Sequence, residues 1–230
     1  SIGSVSRLTL ISQTSTQKDG TRLVVEGGKI VSDETIGSVT GSIVRVENLF
    51  YNTPARLKFL KRDTTERQQI DALVTRYALA YPERAFQLDE DGKQILRTTG
   101  NGNRREILAQ LFGVDFARNL LEVTFEEEEL IITGFISPLN VHRSNRKDIT
   151  FFVNGRPVND IGLTTALVKA YQTYLMVGRY PLAVLFISIA PEEVDVNVHP
   201  AKSEVRFQDA DRVFTAIQRA SRRAILAFSP

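Results

Sequence analysis

Three stretches of this chain carry side chains whose types and spacing suit them to hold an anion. In "VDVNVHPAKSEVRF" (194–207), Val194, Val196 and Val198 alternate with Asp195, Asn197 and His199, a half-buried strand with a polar reverse side. Pro200 stops the strand and presets a tight turn, so Lys202 leaves a stiff bend rather than a floppy tip. Stiffness lowers the entropic cost of ordering an ammonium group against a ligand, which is how a phosphate-sensing cation is mounted. A merely solvated lysine is the alternative. In "FFVNGRPV" (151–158), the turn-prone pair Asn154-Gly155 puts a kink or bulge within or at the end of the strand, from which Arg156 projects. Its planar fork bonds two phosphate oxygens at once, although pairing with a nearby carboxylate such as Asp160 explains it equally well. In "NVHRSNRKD" (140–148), Arg143, Arg146 and Lys147 share one loop.

Further basic groups are Arg56, Lys58, Lys61 and Arg62 around a turn, and Arg219, Arg222 and Arg223 on the last helix. If several of these line one groove, phosphate contacts become available; as separate solvated faces they imply nothing. Other patterns carry less. "GNGNRR" offers G-x-G, but Arg105 stands where the dinucleotide fingerprint needs a third glycine, so a plain turn is the better reading. Glu126 to Glu129 alternate across a strand, cannot converge on a metal, and read as a solvated hairpin tip. With no cysteine and only His142 and His199, disulfides, thiolate catalysis and Cys- or His-based metal sites lack material. No nucleophile–base constellation emerges.

The elements that must position these residues are of mixed type, an α+β pattern. Strands are expected at 7–14, 21–37 with a turn at Gly27-Gly28, and 42–50. Asp63 and Glu66 resemble a helix-capping pair, and Ile70, Leu73, Val74, Tyr77, Ala78 and Tyr81 recur at helical spacing, a greasy face for the preceding sheet. A hairpin turns at Asp91-Gly92, and "GNGN" (100–103) is the most linker-like stretch, where the domain boundary is placed. Beyond it come a helix at 103–112, strands near 119–126 and 130–137, and one strand over 149–158. A helix capped by Asp160 then carries Leu163, Leu167, Ala170, Tyr171 and Tyr174 on one side. "PLAVLFISIA" (181–190) reads as a strand covered on both faces, and a last helix (209–228) turns Val213, Phe214, Ile217, Ala220, Ala224 and Phe228 inward.

At 230 residues, 42% of them hydrophobic, the chain has room for two domains of about 100–150 residues. Lys and Arg total 29 against 27 Asp and Glu, a net charge of +2, too small for polycation behaviour of the whole chain. No apolar run approaches the ~20 residues of a membrane span, and a cytoplasmic setting is expected. Ser1 opens a stretch, "SIGSVSRLTLISQT", that reads as a segment cut from a longer protein.

"GSIVRVENLFYNTPARLKFLK" (41–61), "FFVNGRPVND" (151–160) and "VDVNVHPAKSEVRF" together resemble, in order and spacing, the MutL family of DNA mismatch-repair proteins, over essentially the whole chain. The opening stretch is similar to the segment immediately C-terminal to that family's "GFRGEAL" motif, itself absent here. The resemblance implies the end of a GHKL-type ATPase α/β sandwich (1–100), followed by a lobe like ribosomal protein S5 domain 2 (101–230), the transducer. It implies that Lys202 reaches the ATP γ-phosphate in the complete protein, and that Gly41 and Ser42 match a nucleotide-lobe motif in which Thr is usual at the second position. It makes Arg156, with Arg143, Arg146 and Lys147, candidates for a DNA groove. ATP and Mg are the implied cofactors of the complete protein. The family's metal-binding and catalytic elements would lie upstream of Ser1, so this segment alone is expected to hold neither and to be inactive. Implied partners are DNA, a mismatch-recognition protein, a downstream repair nuclease or helicase, and a second copy of the complete protein. A free-standing nucleic-acid-binding α+β module without nucleotide is the competing reading.

Overall fold

Gly27 and Gly28 adopt φ of +56° and +88°, the left-handed pair that a two-residue hairpin demands and that glycine meets without a Cβ penalty. They join β2 (Gly20–Glu26) to β3 (Lys29–Ile36). With β1 (Arg7–Gln13) and β4 (Gly41–Glu47) these form an antiparallel sheet in the order β3-β2-β1-β4. Every residue of the edge strand β4 is exposed, Ile43, Val44 and Val46 included. Pro54 then opens the short α1 (Pro54–Leu57) at its first position, where the missing N–H is not needed.

The computed structural model describes residues 1–195 and 205–228. The chain divides into two compact units, Ser1–Gln69 and Ile70–Pro230, and the division falls inside α2 (Asp63–Ala80). The Glu66 carboxylate accepts the Lys61 N–H at 2.9 Å, the reach-back half of a capping pair, while Asp63 is already helical. The expected greasy face of α2 packs only in part. Ile70, Leu73, Tyr77 and Tyr81 are exposed, whereas Val74 and Ala78 of that face, with Leu79, meet the core of the second unit, because only the C-terminal end of this long helix reaches it.

That unit continues with β5 (Gln87–Glu90) and β6 (Lys93–Arg97), turning at Asp91-Gly92. Next come α3 (Arg104–Phe112), α4 (Val114–Asn119), β7 (Leu121–Glu127), β8 (Leu130–Ile136), β9 (Ile149–Val153) and β10 (Arg156–Val158). Then follow α5 (Ile161–Tyr171), β11 (Ala183–Ser188), β12 (Val194–Asp195), β13 (Arg206–Phe207) and α6 (Ala210–Phe228). "GNGN" is no slack linker. The Asn103 side chain accepts the Arg105 and Glu106 N–H groups as the cap of α3, Asn101 bonds Glu106, and Gly102 donates to the Pro82 carbonyl.

The sheet runs β10-β9-β11-β8-β7, with β9 and β11 parallel and the other pairs antiparallel. Its apolar runs are explained by cover on both faces. Phe151, Val153, Ala183, Leu185 and Ile187 turn toward α5 and α6, whereas Phe152, Val184 and Phe186 turn toward α3, α4 and the end of α2. Phe152 and Phe186 stack at 4.7 Å. Gly134 lets β8 approach β11: its φ is +136°, and a Cβ there would overlap the Val184 carbonyl oxygen.

Asp160 caps α5 as expected, accepting the Leu163 N–H at 2.8 Å. Leu163, Leu167, Ala170 and Tyr171 are buried along it, but Tyr174 lies past its end and is exposed. On α6, Val213, Ala216, Ile217, Ala220, Ala224 and Ile225 are buried; Phe228, expected inward, is exposed in the final turn.

Candidate functional site

The stretch expected as one strand over 149–158 is two strands and a tight turn. Asn154 and Gly155 have φ of +47° and +78°, and Arg156 pairs with Val153 across the two-residue reversal. Asn is among the few residues that tolerate this conformation. Its side chain does more. The Asn154 Nδ2 donates to the Ile189 carbonyl at 2.9 Å, Oδ1 accepts the Ile189 N–H at 3.0 Å, and the Asn154 backbone N–H donates to the Ile187 carbonyl at 2.9 Å. The turn is therefore clamped to the end of β11 by three bonds. Nothing in the sequence points to this clamp, although the Asn-Gly pair is itself the strongest short hairpin signal.

Arg156 leaves that clamped turn exposed, and among the described residues it makes no ion pair. Among the described residues no ion pair joins it to Asp160, whose Oδ1 accepts the Leu163 N–H at the start of α5. Arg156 is thus an exposed cation on a rigid element, without an ion pair among the described residues.

The other three candidates stand at the opposite end of the sheet, before the start of β9. Arg143 is committed locally. Its Nε donates to Asp148 at 2.7 Å, its guanidinium lies over Phe116 at 5.4 Å, and its backbone exchanges two bonds with Tyr180. Arg146 and Lys147 are exposed, with Arg146 over the Tyr180 ring at 5.0 Å. Arg179, which no sequence motif singles out, joins Arg146 in a cleft of about 290 Å³ lined also by Tyr171, Gln172 and Met176. Burial pushes the Tyr171 hydroxyl well above its ordinary value, opposed in part by the Ser137 side chain, and the hydroxyl donates to the Ser137 carbonyl at 2.6 Å.

Of the basic groups of α6, Arg219 meets Glu127 at 3.4 Å and Arg212 meets Glu193 at 3.0 Å and Glu128 at 3.1 Å, while Arg222 and Arg223 are exposed. The acidic hairpin tip, expected to be only solvated, is the partner of this helix. Arg104 and Arg105 are structural too. Arg104 lies over Phe186 at 4.1 Å and donates to the Leu79 carbonyl, with desolvation lowering its pKa, while Arg105 donates to the Ala117 and Leu120 carbonyls at the end of α4.

In the first unit, Gly41 has φ of +130° with open space beside it, and the Ser42 hydroxyl shares a 2.7 Å bond with Ser12 across the β1–β4 ladder. Lys202, Pro200 and His199 lie outside the described residues. Among the described residues no group of three or more His, Asp or Glu is placed to hold a metal, and no helix is long and apolar enough to cross a membrane.

Residues 108–226, just over half the chain, match the family "DNA mismatch repair protein, C-terminal domain". The DNA mismatch repair protein MutL of Lactococcus lactis subsp. cremoris is 39% identical over 225 residues, 98% of this chain and 34% of that protein. The chain thus spans about a third of the length of the curated relatives it matches. Among solved structures, the Aquifex aeolicus MutL ATPase domain complexed with ADP is similar with a TM-score of 0.70 and 26% identity, over 94% of this chain and 74% of that one. The B-subunit of DNA gyrase from Myxococcus xanthus shares the fold alone, with a TM-score of 0.57 and 14% identity over 95% of this chain and 67% of that one. The α+β architecture is thus of the GHKL ATPase type, and the chain belongs to the MutL family of DNA mismatch repair proteins.

Proposed function

We propose that this chain is the downstream part of the nucleotide-responsive region of a mismatch repair matchmaker, converting ATP binding into lobe closure, dimerisation and engagement of DNA. Residues 1–100 are the end of the nucleotide lobe and 101–230 the transducer lobe. The observation that carries the reading is likeness to a MutL ATPase domain bound to ADP over nearly the whole chain. The fully exposed β-branched strand β4 supports it, since such an edge is normally covered in the folded protein that uses it.

The described residues do not fit a Mg site, having no converging carboxylates, so no step is assigned to the metal. For ATP, Gly41 and Ser42 supply a glycine with open space beside it at the start of β4 and a hydroxyl already bonded to Ser12, which supports a place for them in the nucleotide lobe. Lys202 is assigned the γ-phosphate contact through its motif. A charge-assisted hydrogen bond contributes about 1.5–3 kcal/mol, so Lys202→Ala in the complete protein is expected to weaken ATP-driven closure by one to two factors of ten. Unchanged turnover and dimerisation would refute the assignment. For the 230-residue chain alone, calorimetry is expected to show no ATP binding.

DNA is assigned to the two exposed cationic ends of the second unit's sheet, Arg156 at one and Arg146 with Lys147 at the other; Arg143 shapes the second end rather than offering a free charge. Partners in the pathway are a mismatch-recognition protein, a downstream nuclease or helicase, and a second copy.

A further inference from the structure

Turn corners favour Gly, Pro, Asn, Asp and Ser, yet the reversal between α5 and β11 carries Met176 and Val177 at its apex, 83% and 105% exposed. The apex is not slack. The Arg179 N–H donates to the Met176 carbonyl at 3.0 Å, and Gly178 at φ +80° supplies the third position of a type II turn, with Val177 at the second. On one flank Leu175 packs against the core. On the other, the Tyr180 backbone exchanges bonds of 2.8 and 2.9 Å with Arg143. Two apolar side chains are therefore held out into solvent on a stiff mount.

The surroundings are cationic. Arg146 and Arg179 line the cleft behind the apex, and Lys147 is exposed in the neighbouring loop. The one acid of that loop, Asp148, is taken by Arg143 at 2.7 Å. Residues 130–190 carry six Lys and Arg against two Asp, a net +4 where the whole chain has +2.

We propose that Met176 and Val177 form a wedge that enters the base stack of duplex DNA, with Arg146 and Arg179 on the flanking phosphates. The inference deepens the DNA-engaging part of the proposed function and rests on it. Proteins that kink DNA insert one or two apolar side chains between base steps while cations hold the backbone on either side, and this is the arrangement around the apex. A lipid surface fits less well, since even one myristoyl chain gives marginal membrane binding and two short side chains bury less.

The test uses the 230-residue chain and a short duplex with 2-aminopurine at a central step, fluorescent when unstacked. Binding is expected to raise the fluorescence. M176S/V177S is expected to abolish the rise and weaken binding about tenfold, with the salt dependence unchanged. R146A/R179A is expected to reduce the slope of log K against log salt by about 2. Should the serine pair melt early, V177S alone, which leaves Gly178 and the turn bond in place, is expected to reduce the fluorescence rise. Wild-type affinity in the wedge variants, or binding with no fluorescence rise, overturns the wedge and leaves DNA engagement standing. Absence of duplex binding by the parent chain at low salt overturns both. Sedimentation with vesicles of about 30% phosphatidylserine that depends on Met176 and Val177, with duplex binding indifferent to them, overturns the choice of DNA in favour of a membrane.

Discussion

Replacing Asn154 by Ala tests whether the hairpin is clamped as described and whether Arg156 depends on it. Three losses combine. The Nδ2 bond to the Ile189 carbonyl disappears; the Ile189 N–H, in a residue only 7% exposed, loses its acceptor; and alanine must hold a φ of +47°. An ordinary hydrogen bond contributes about 0.5–1.5 kcal/mol, an unsatisfied buried donor costs about 1–3 kcal/mol, and the left-handed conformation costs a β-carbon residue about 1–2 kcal/mol. The terms overlap because relaxation lets water reach Ile189, so the expected loss is about 2–4 kcal/mol. In a chain of this size that lowers the melting temperature by roughly 5–15 °C. Asn154→Gly removes the side chain and keeps the conformation, and should recover about 1 kcal/mol of the loss. Arg156→Ala, by contrast, removes a side chain with no ion pair among the described residues, and should leave the urea midpoint within experimental error while weakening duplex binding and reducing its salt slope by about 1. If Asn154→Ala is as stable as the parent, or Arg156→Ala as damaging as Asn154→Ala, the division into a clamp and a contact is wrong.

Gly134→Ala drives a Cβ into the Val184 carbonyl in the middle of the sheet, and is expected to cost about 4 kcal/mol or more and to abolish the cooperative urea transition of the second unit. Tyr171 predicts an alkaline limit. Its folded pKa lies above the ordinary value of 10.0 because burial disfavours the phenolate, so the unfolded chain loses that proton first. Stability from this group is complete below about pH 10 and falls as pH rises toward the folded value, and Tyr171→Phe should flatten that limb of a denaturation series while losing the bond to the Ser137 carbonyl.

Much of the architecture is legible in the sequence because it rests on local rules. Gly27-Gly28 and Asp91-Gly92 are turn signals whose conformational demand is intrinsic, and Asp160 caps α5 from three residues away. The run from Leu182 to Ile187 announces a strand covered twice. What stays hidden is set by partners distant in the chain. The period of Ile70, Leu73, Val74, Tyr77, Ala78 and Tyr81 identifies a helix but not how much of that face is covered: Val74 and Ala78 pack, Leu79 is buried beside them, and the other four stay exposed, because what covers the helix comes from residues later in the chain. Asn154 reads as a turn former, and nothing local says that its amide reaches Ile189, 35 residues on. The same holds for charge. Arg143 and Arg146 are three residues apart and identical in type, yet Asp148 and Phe116 claim the first and leave the second exposed.

The sheet gives the candidate site its scale. β9 separates the Arg156 end from the Arg146, Lys147 and Arg179 end by its five residues, about 16 Å at the rise of an extended strand. That exceeds the screening length of about 8 Å at physiological salt, so the two ends act on a ligand as independent charges and cannot grip the same phosphate. Set along a duplex, the spacing corresponds to roughly five base steps at 3.4 Å each. A spacer of that length holds its register only if it does not bend. This is what the two-sided core provides, with Phe151 and Val153 locked under α5 and α6 and Phe152 stacked on Phe186 on the other face. The Asn154 clamp then fixes one end to β11 and the Arg143–Tyr180 bridge fixes the other. Apolar burial in the middle of the sheet and polar locks at its two rims thus act together to hold a constant distance between the two cationic ends, as the proposed duplex contacts require.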